Sequence, residues 1–179
     1  MNRLATIRKA NAIISALLML AFLAHGIGNG LLMVGIVEHP NPGLAHLLEG
    51  LCWIHLAIGV YLTIKSLRAQ RESGASYPAE NKRYLAIRIS GLAIGGLMLA
   101  HMIGFGHMDS PAGFGPVMLV INICLVIAIA VHVICNVRPH LMSLGLSLEG
   151  APPAQIALGV LLAFFLLAFV LLFLQIGVR

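Results

Sequence analysis

Charge is what this sequence has least of. Asp, Glu, Lys and Arg together make up 9% of its 179 residues, and the acidic side chains number only 6. So little polar material cannot surface a water-soluble domain of this length, which excludes the soluble globular classes. Cysteine is scarce as well. Cys52, Cys124 and Cys135 all lie within apolar runs and form no CxxC pair, which excludes a disulfide framework and a thiolate metal centre and leaves them as small packing residues.

What is abundant is hydrocarbon: 60% of the residues are hydrophobic. In lipid every backbone amide must be satisfied within its own segment, so apolar runs of about 20 residues read as membrane-spanning helices. Five such runs are present, at Ala10 to Val37, Leu44 to Ile64, Ile89 to Gly106, Phe114 to Val137 and Gln155 to Gly177. They leave short loops and no room for a soluble domain. The expectation is an all-α membrane protein over 1–179, a four-helix bundle with one further, peripheral helix. The first run has the basic start and apolar core of a secretory leader but is far longer, so it reads as a retained helix.

The net charge of +5 has meaning through its distribution. Arg3, Arg8 and Lys9 precede the first run; Lys65, Arg68, Arg71, Lys82, Arg83 and Arg88 surround the second loop; Arg138 follows the fourth run. The first and third loops contain no Lys or Arg. The positive-inside rule therefore places the amino terminus and second loop in the cytoplasm and the carboxy terminus outside. A charge pattern that follows topology is no sign of a nucleic-acid partner. Loop one, Glu38 to Gly43, and loop three, with Asp109, Ser110, Pro111 and Gly113, carry helix-stopping turn chemistry; loop four carries Gly150, Pro152 and Pro153. Loop two, Ser66 to Tyr84, is the longest and most charged stretch and the expected surface for a cytoplasmic partner.

Polar side chains inside a bilayer are costly and mark functional sites by default. His25, His55, His101 and His132 are four such residues, one in each of the first four runs. A single one reads equally well as a hydrogen-bonded core residue; four in four consecutive helices do not. Neutral imidazole is a common ligand of haem iron, and helical bundles build cofactor sites from side chains on facing helices. Four histidines make two sites with two axial ligands each.

Depth sorts them. With Lys9, Lys65, Arg88 and Arg138 as inner boundary markers and about 1.5 Å per residue, the four histidines lie roughly 24, 15, 20 and 9 Å from the inner face. Two ligands of one iron need similar depth. The least mismatch pairs His25 with His101 at an outer site and His55 with His132 at an inner one. Three or four positions from these histidines stand Gly28, Asn29, Gly59, Gly104, Cys135 and Asn136. Such small residues on the same face give a flat macrocycle clearance, although glycine also serves close helix packing in membranes.

Haem propionates seek cations near an interface, and Lys65, Arg88, Arg138 and His140 stand near the inner boundary. They serve equally as ordinary basic anchors or as partners of an anionic lipid head group. His39, His46 and His107 lie at the outer boundary with Glu38, Glu49 and Asp109. They read as a solvated rim in preference to a proton-exchange site, and no close pair has zinc-ligand spacing.

The local motifs resemble those of the di-haem cytochrome b membrane anchors of succinate dehydrogenases and fumarate reductases, the single-chain five-helix kind. The likeness runs through FLAHGIGN from Phe22 to Asn29, IHLAIGVYLTIKS from Ile54 to Ser66, RISGLAIGGLMLAH from Arg88 to His101 and VHVICNVRPHLMSLGL from Val131 to Leu146. Each motif is weak alone; their order and spacing make the set specific. The resemblance implies two haem b groups, with His25 and His101, and His55 and His132, as axial ligands. It implies a quinone substrate, menaquinone or ubiquinone, flavoprotein and iron-sulfur subunits on the cytoplasmic face, and the inner membrane as location. It places Arg88 and Ser90 where this family contacts quinone or propionate. The chain departs from the family's pattern in its short first loop and in Ala130, where some members carry a carboxylate. Two other readings fit the residues: a stand-alone b561-like cytochrome, and a structural or transport protein without haem.

Overall fold

The computed structural model describes residues 3–33, 36, 41–74, 82–106, 115–143 and 145, together with Leu167 and Val170. Four helices run through them: α1 over Arg3–Met33, α2 over Pro42–Ser73, α3 over Lys82–Gly106 and α4 over Pro116–Ser143. Among the described residues there is no strand. Each helix is long and apolar enough to cross a membrane, so the chain has the make-up of a multi-pass membrane protein. The fifth expected run, 155–177, lies outside the described residues except for Leu167 and Val170, both helical and exposed.

The helices do not end where the hydrophobicity does. The run expected to close at Ile64 continues in α2 through Lys65, Arg68 and Arg71 to Ser73. Leu, Lys, Arg, Ala and Gln are strong helix formers that need no lipid to hold the conformation. The helix stops at Gly74, whose φ of 69° is the left-handed cap position glycine adopts without penalty. The second loop is therefore shorter than the expected Ser66–Tyr84, since α3 already starts at Lys82. At its other end α2 is fixed by sequence: Asn41 Oδ1 accepts from the Leu44 amide at 3.1 Å, and Pro42 opens the first turn, where its missing N–H costs nothing. The fourth run was expected to close at Val137, but α4 carries Pro139 inside its last turns to Ser143. There the Ser143 hydroxyl donates to the Pro139 carbonyl at 2.8 Å.

Packing divides the bundle into two hairpins. α1 packs mainly on α2 and α3 mainly on α4, while thinner α2–α3 and α1–α4 contacts close the ring. This order sets α1 diagonally across from α3, and α2 across from α4. Lipid is as apolar as leucine, so helices in it associate through close packing and hydrogen bonds rather than hydrophobic burial. Accordingly, Leu20, Leu92, Ile103, Val117 and Val120 face outward. Among the described residues the buried positions are Ala12, Ala21, Met118 and Val126, two glycines, Gly30 and Gly95, and two polar members, Ser90 and Asn122. No described residue of α2 is buried.

Candidate functional site

The polar side chains lie where α3 meets α4 and along the seam between the hairpins. At the end marked by Lys9, Lys65 and Arg88, the basic end, the rings of His55 on α2 and His132 on α4 stand edge to face with centres 6.3 Å apart. Toward the far end, His25 on α1 lies within electrostatic reach of His101 on α3. Both pairs run along the diagonals of the bundle. The two layers are separated along α4 by the step from Asn122, which touches His101, to His132, about 15 Å of helix rise.

At the basic end, His132 Nδ1 meets the Ile87 carbonyl at 3.1 Å and the Ser90 hydroxyl at 3.2 Å. That hydroxyl already donates to the Ala86 carbonyl at 2.6 Å. Nδ1 therefore carries the proton and gives it to the carbonyl, and Nε2 keeps its lone pair, toward which Asn136 Nδ2 points at 3.1 Å. Ser90 is thus turned to the histidine and buried, 6% exposed. His55 Nδ1 is buried without a hydrogen-bond partner, as are Arg88 Nε and His140 Nε2.

Arg88 does not reach out to solvent. Its Nη1 donates to the Gly59 carbonyl across the α2–α3 seam at 3.4 Å, and its guanidinium lies over the Tyr84 ring at 4.9 Å. It is within electrostatic reach of His132. His140 on α4 lies near the Ala12 backbone of α1; burial holds its imidazole below the ordinary histidine range, with that backbone opposing in part. The Arg138 side chain lies outside the described residues.

In the far layer His101 Nδ1 is 2.6 Å from Asn122 Oδ1, and Asn122 Nδ2 donates to the Met118 carbonyl at 2.7 Å. His101 also packs on the Phe105 ring, centres 4.7 Å apart. His25 is held differently: Asn29 Nδ2 points at His25 Nδ1 at 3.3 Å while donating to the His25 carbonyl at 2.8 Å.

The small neighbours of the histidines fall into three groups. A Cβ at Gly28, which is exposed, or at the half-buried Gly59 would meet nothing within 4 Å. Gly104 is filled instead by the Met118 thioether, so it serves α3–α4 packing, as Gly91 does against the His132 ring, where an added Cβ would stand 3.2 Å away. Asn29 and Asn136 are hydrogen-bond partners of the histidines they follow rather than spacers. At the end far from the basic residues, His46 pairs with Glu49 at 3.6 Å with 81% and 35% of the side chains exposed, as a solvated rim requires. His39, His107, Glu38 and Asp109 lie outside the described residues. Among the described residues, no three His, Cys, Asp or Glu side chains gather into a metal-binding group.

Asn122 is the residue that sequence reading passed over. The signal was present: it is the single amide between Pro116 and Val131, in the most apolar of the four described spans, with a mean hydropathy of 2.9. An amide placed there carries a desolvation cost that demands partners. Compared with protein-family models, curated proteins and solved structures, the chain finds no match in any of the three.

Proposed function

We propose that the chain is a di-haem cytochrome b that moves electrons within a membrane, with one haem between His25 and His101 and a second between His55 and His132. The arrangement of the four histidines carries this reading: two diagonal couples, each bridging the thinly packed seam between hairpins, at two levels of one bundle. A haem held by these imidazoles would supply one-electron transfer rather than oxygen activation.

Several observations support the fit. His55 and His132, with ring centres 6.3 Å apart, are the pair that would hold the basic-end metal between them. His101 and His132 each spend Nδ1 on an oxygen acceptor, the outer hydrogen bond that orients ligating histidines and leaves Nε2 for the metal. Gly59, one turn along α2 from His55, is half-buried with open space around it. Arg88 Nε, buried and without a partner, suits an anionic oxygen such as a propionate. At His132 the Asn136 amide occupies the Nε2 lone pair and has to turn aside for a ligand.

The fuller reading follows from the motif resemblance: the chain anchors a succinate dehydrogenase or fumarate reductase and exchanges electrons with menaquinone or ubiquinone. Its flavoprotein and iron-sulfur subunits dock at the basic end, cytoplasmic by the distribution of Lys and Arg, with the carboxy terminus outside the inner membrane. In this role the chain's residues hold and orient imidazoles and place Arg88 and His140 beside the inner site; the chemistry at carbon belongs to the partner. A pyridine haemochrome assay on purified protein is expected to give two haem b per chain, with flavin and iron-sulfur subunits co-purifying. Protein without haem overturns the reading, and haem without those subunits overturns the anchor role alone. The contacts His132–Asn136 and Gly104–Met118 favour a second reading, a packed polar core with no cofactor, which the same assay separates.

A further inference from the structure

We infer that Asn122 is the positioning residue of the far layer: it locks His101 in the tautomer that carries its proton on Nδ1 and so keeps Nε2 as the ligand atom. The purpose assigned to this lock rests on the haem reading; the lock itself rests on geometry. Asn122 is 1% exposed and is the large side chain most completely buried among the described residues. An amide in so apolar a span must use both its ends, because an unpaired polar group there carries an uncompensated desolvation cost. One end is decided by the helix. The Met118 carbonyl, 2.7 Å away, can only accept, so the atom facing it is the NH2 group. The oxygen therefore faces His101, and at 2.6 Å from Nδ1 it has to receive a proton from the ring. A neutral imidazole that donates at Nδ1 keeps its lone pair at Nε2.

The opposite polarity holds across the layer. Asn29 presents its NH2 to His25 Nδ1, so His25 accepts there and has its proton on Nε2. Within this couple His101 is prepared for a metal and His25 is not, so His101 is the ligand on which assembly of the far site depends. The basic-end couple has no such dependence on a side chain, since a backbone carbonyl, that of Ile87, does the equivalent work for His132.

The test begins without haem. In haem-free protein labelled with 15N-histidine, the imidazole nitrogen shifts of His101 are expected to report the Nδ1–H tautomer, and Asn122→Leu is expected to abolish that preference while leaving His132 unchanged. In haem-loaded protein Asn122→Leu should weaken one of the two haems about 10–100-fold and leave the other intact, the usual penalty for losing a ligand's hydrogen-bond partner. Asn122→Asp keeps an acceptor of greater strength, makes the ligand more basic and should lower the midpoint potential of that same haem. An Nε2–H tautomer in the wild type, or one indifferent to Asn122→Leu, overturns the inference and leaves the haem reading standing. Wild-type protein that takes up no haem overturns the haem reading, and the tautomer result still decides the role of Asn122.

Discussion

The two histidine layers sit in one bundle and are built by opposite means. Near the basic end, His132 is oriented by a backbone carbonyl and a serine hydroxyl, with a guanidinium in electrostatic reach. In the far layer, orientation comes from one side chain, Asn122, in an otherwise unbroken apolar span. A backbone acceptor survives any substitution that leaves the helix in place; a side-chain acceptor is lost with a single change. The difference teaches where each layer is vulnerable: the basic-end layer through the space around it, the far layer through its hydrogen bond.

The largest contrast is expected between two glycines. Gly59→Leu fills the open space beside His55 and should remove the basic-end haem, halving the haemochrome signal, although leucine favours helix over glycine by about 1 kcal/mol. Retention of both haems would break the account of that layer. Gly104→Leu instead drives a side chain into the buried Met118; overpacking of this kind costs about 1–3 kcal/mol, read as a lower thermal midpoint in detergent. Ser90→Ala should be milder, about 1 kcal/mol, because the Ile87 carbonyl still receives the His132 proton. Both haems should be kept, and loss of one would show the hydroxyl, not the carbonyl, to be the anchor. The smallest effect is on pH. Burial depresses the folded pKa of His140 below its usual 6.5, so its contribution is present above that value and is lost as pH falls through the folded pKa. The thermal midpoint of the wild type should therefore drop more than that of His140→Asn between about pH 7.5 and pH 5.

Much of this architecture is legible in the residues. The apolar runs locate four helices because lipid permits no other use of them. Helix ends were less legible, since Lys65 to Ser73 stays helical by propensity after its hydrophobicity has run out, and only Gly74 says where to stop. Side-chain polarity was the least legible. Sequence spacing puts Asn29 and Asn136 beside their histidines, but which atom faces which ring, and that Ser90 turns inward to His132, depends on contacts between helices. Asn122 was readable as an anomaly of composition, and its partner, 21 residues away, was not.

The central claim is the pairing, and haem content and redox midpoints in the four single variants His25→Ala, His55→Ala, His101→Ala and His132→Ala test it most directly. The account predicts that each variant keeps one haem, that His25→Ala and His101→Ala lose the same one, and that His55→Ala and His132→Ala lose the other. A wild type without haem, or losses that couple His25 with His55 or His132, would contradict it.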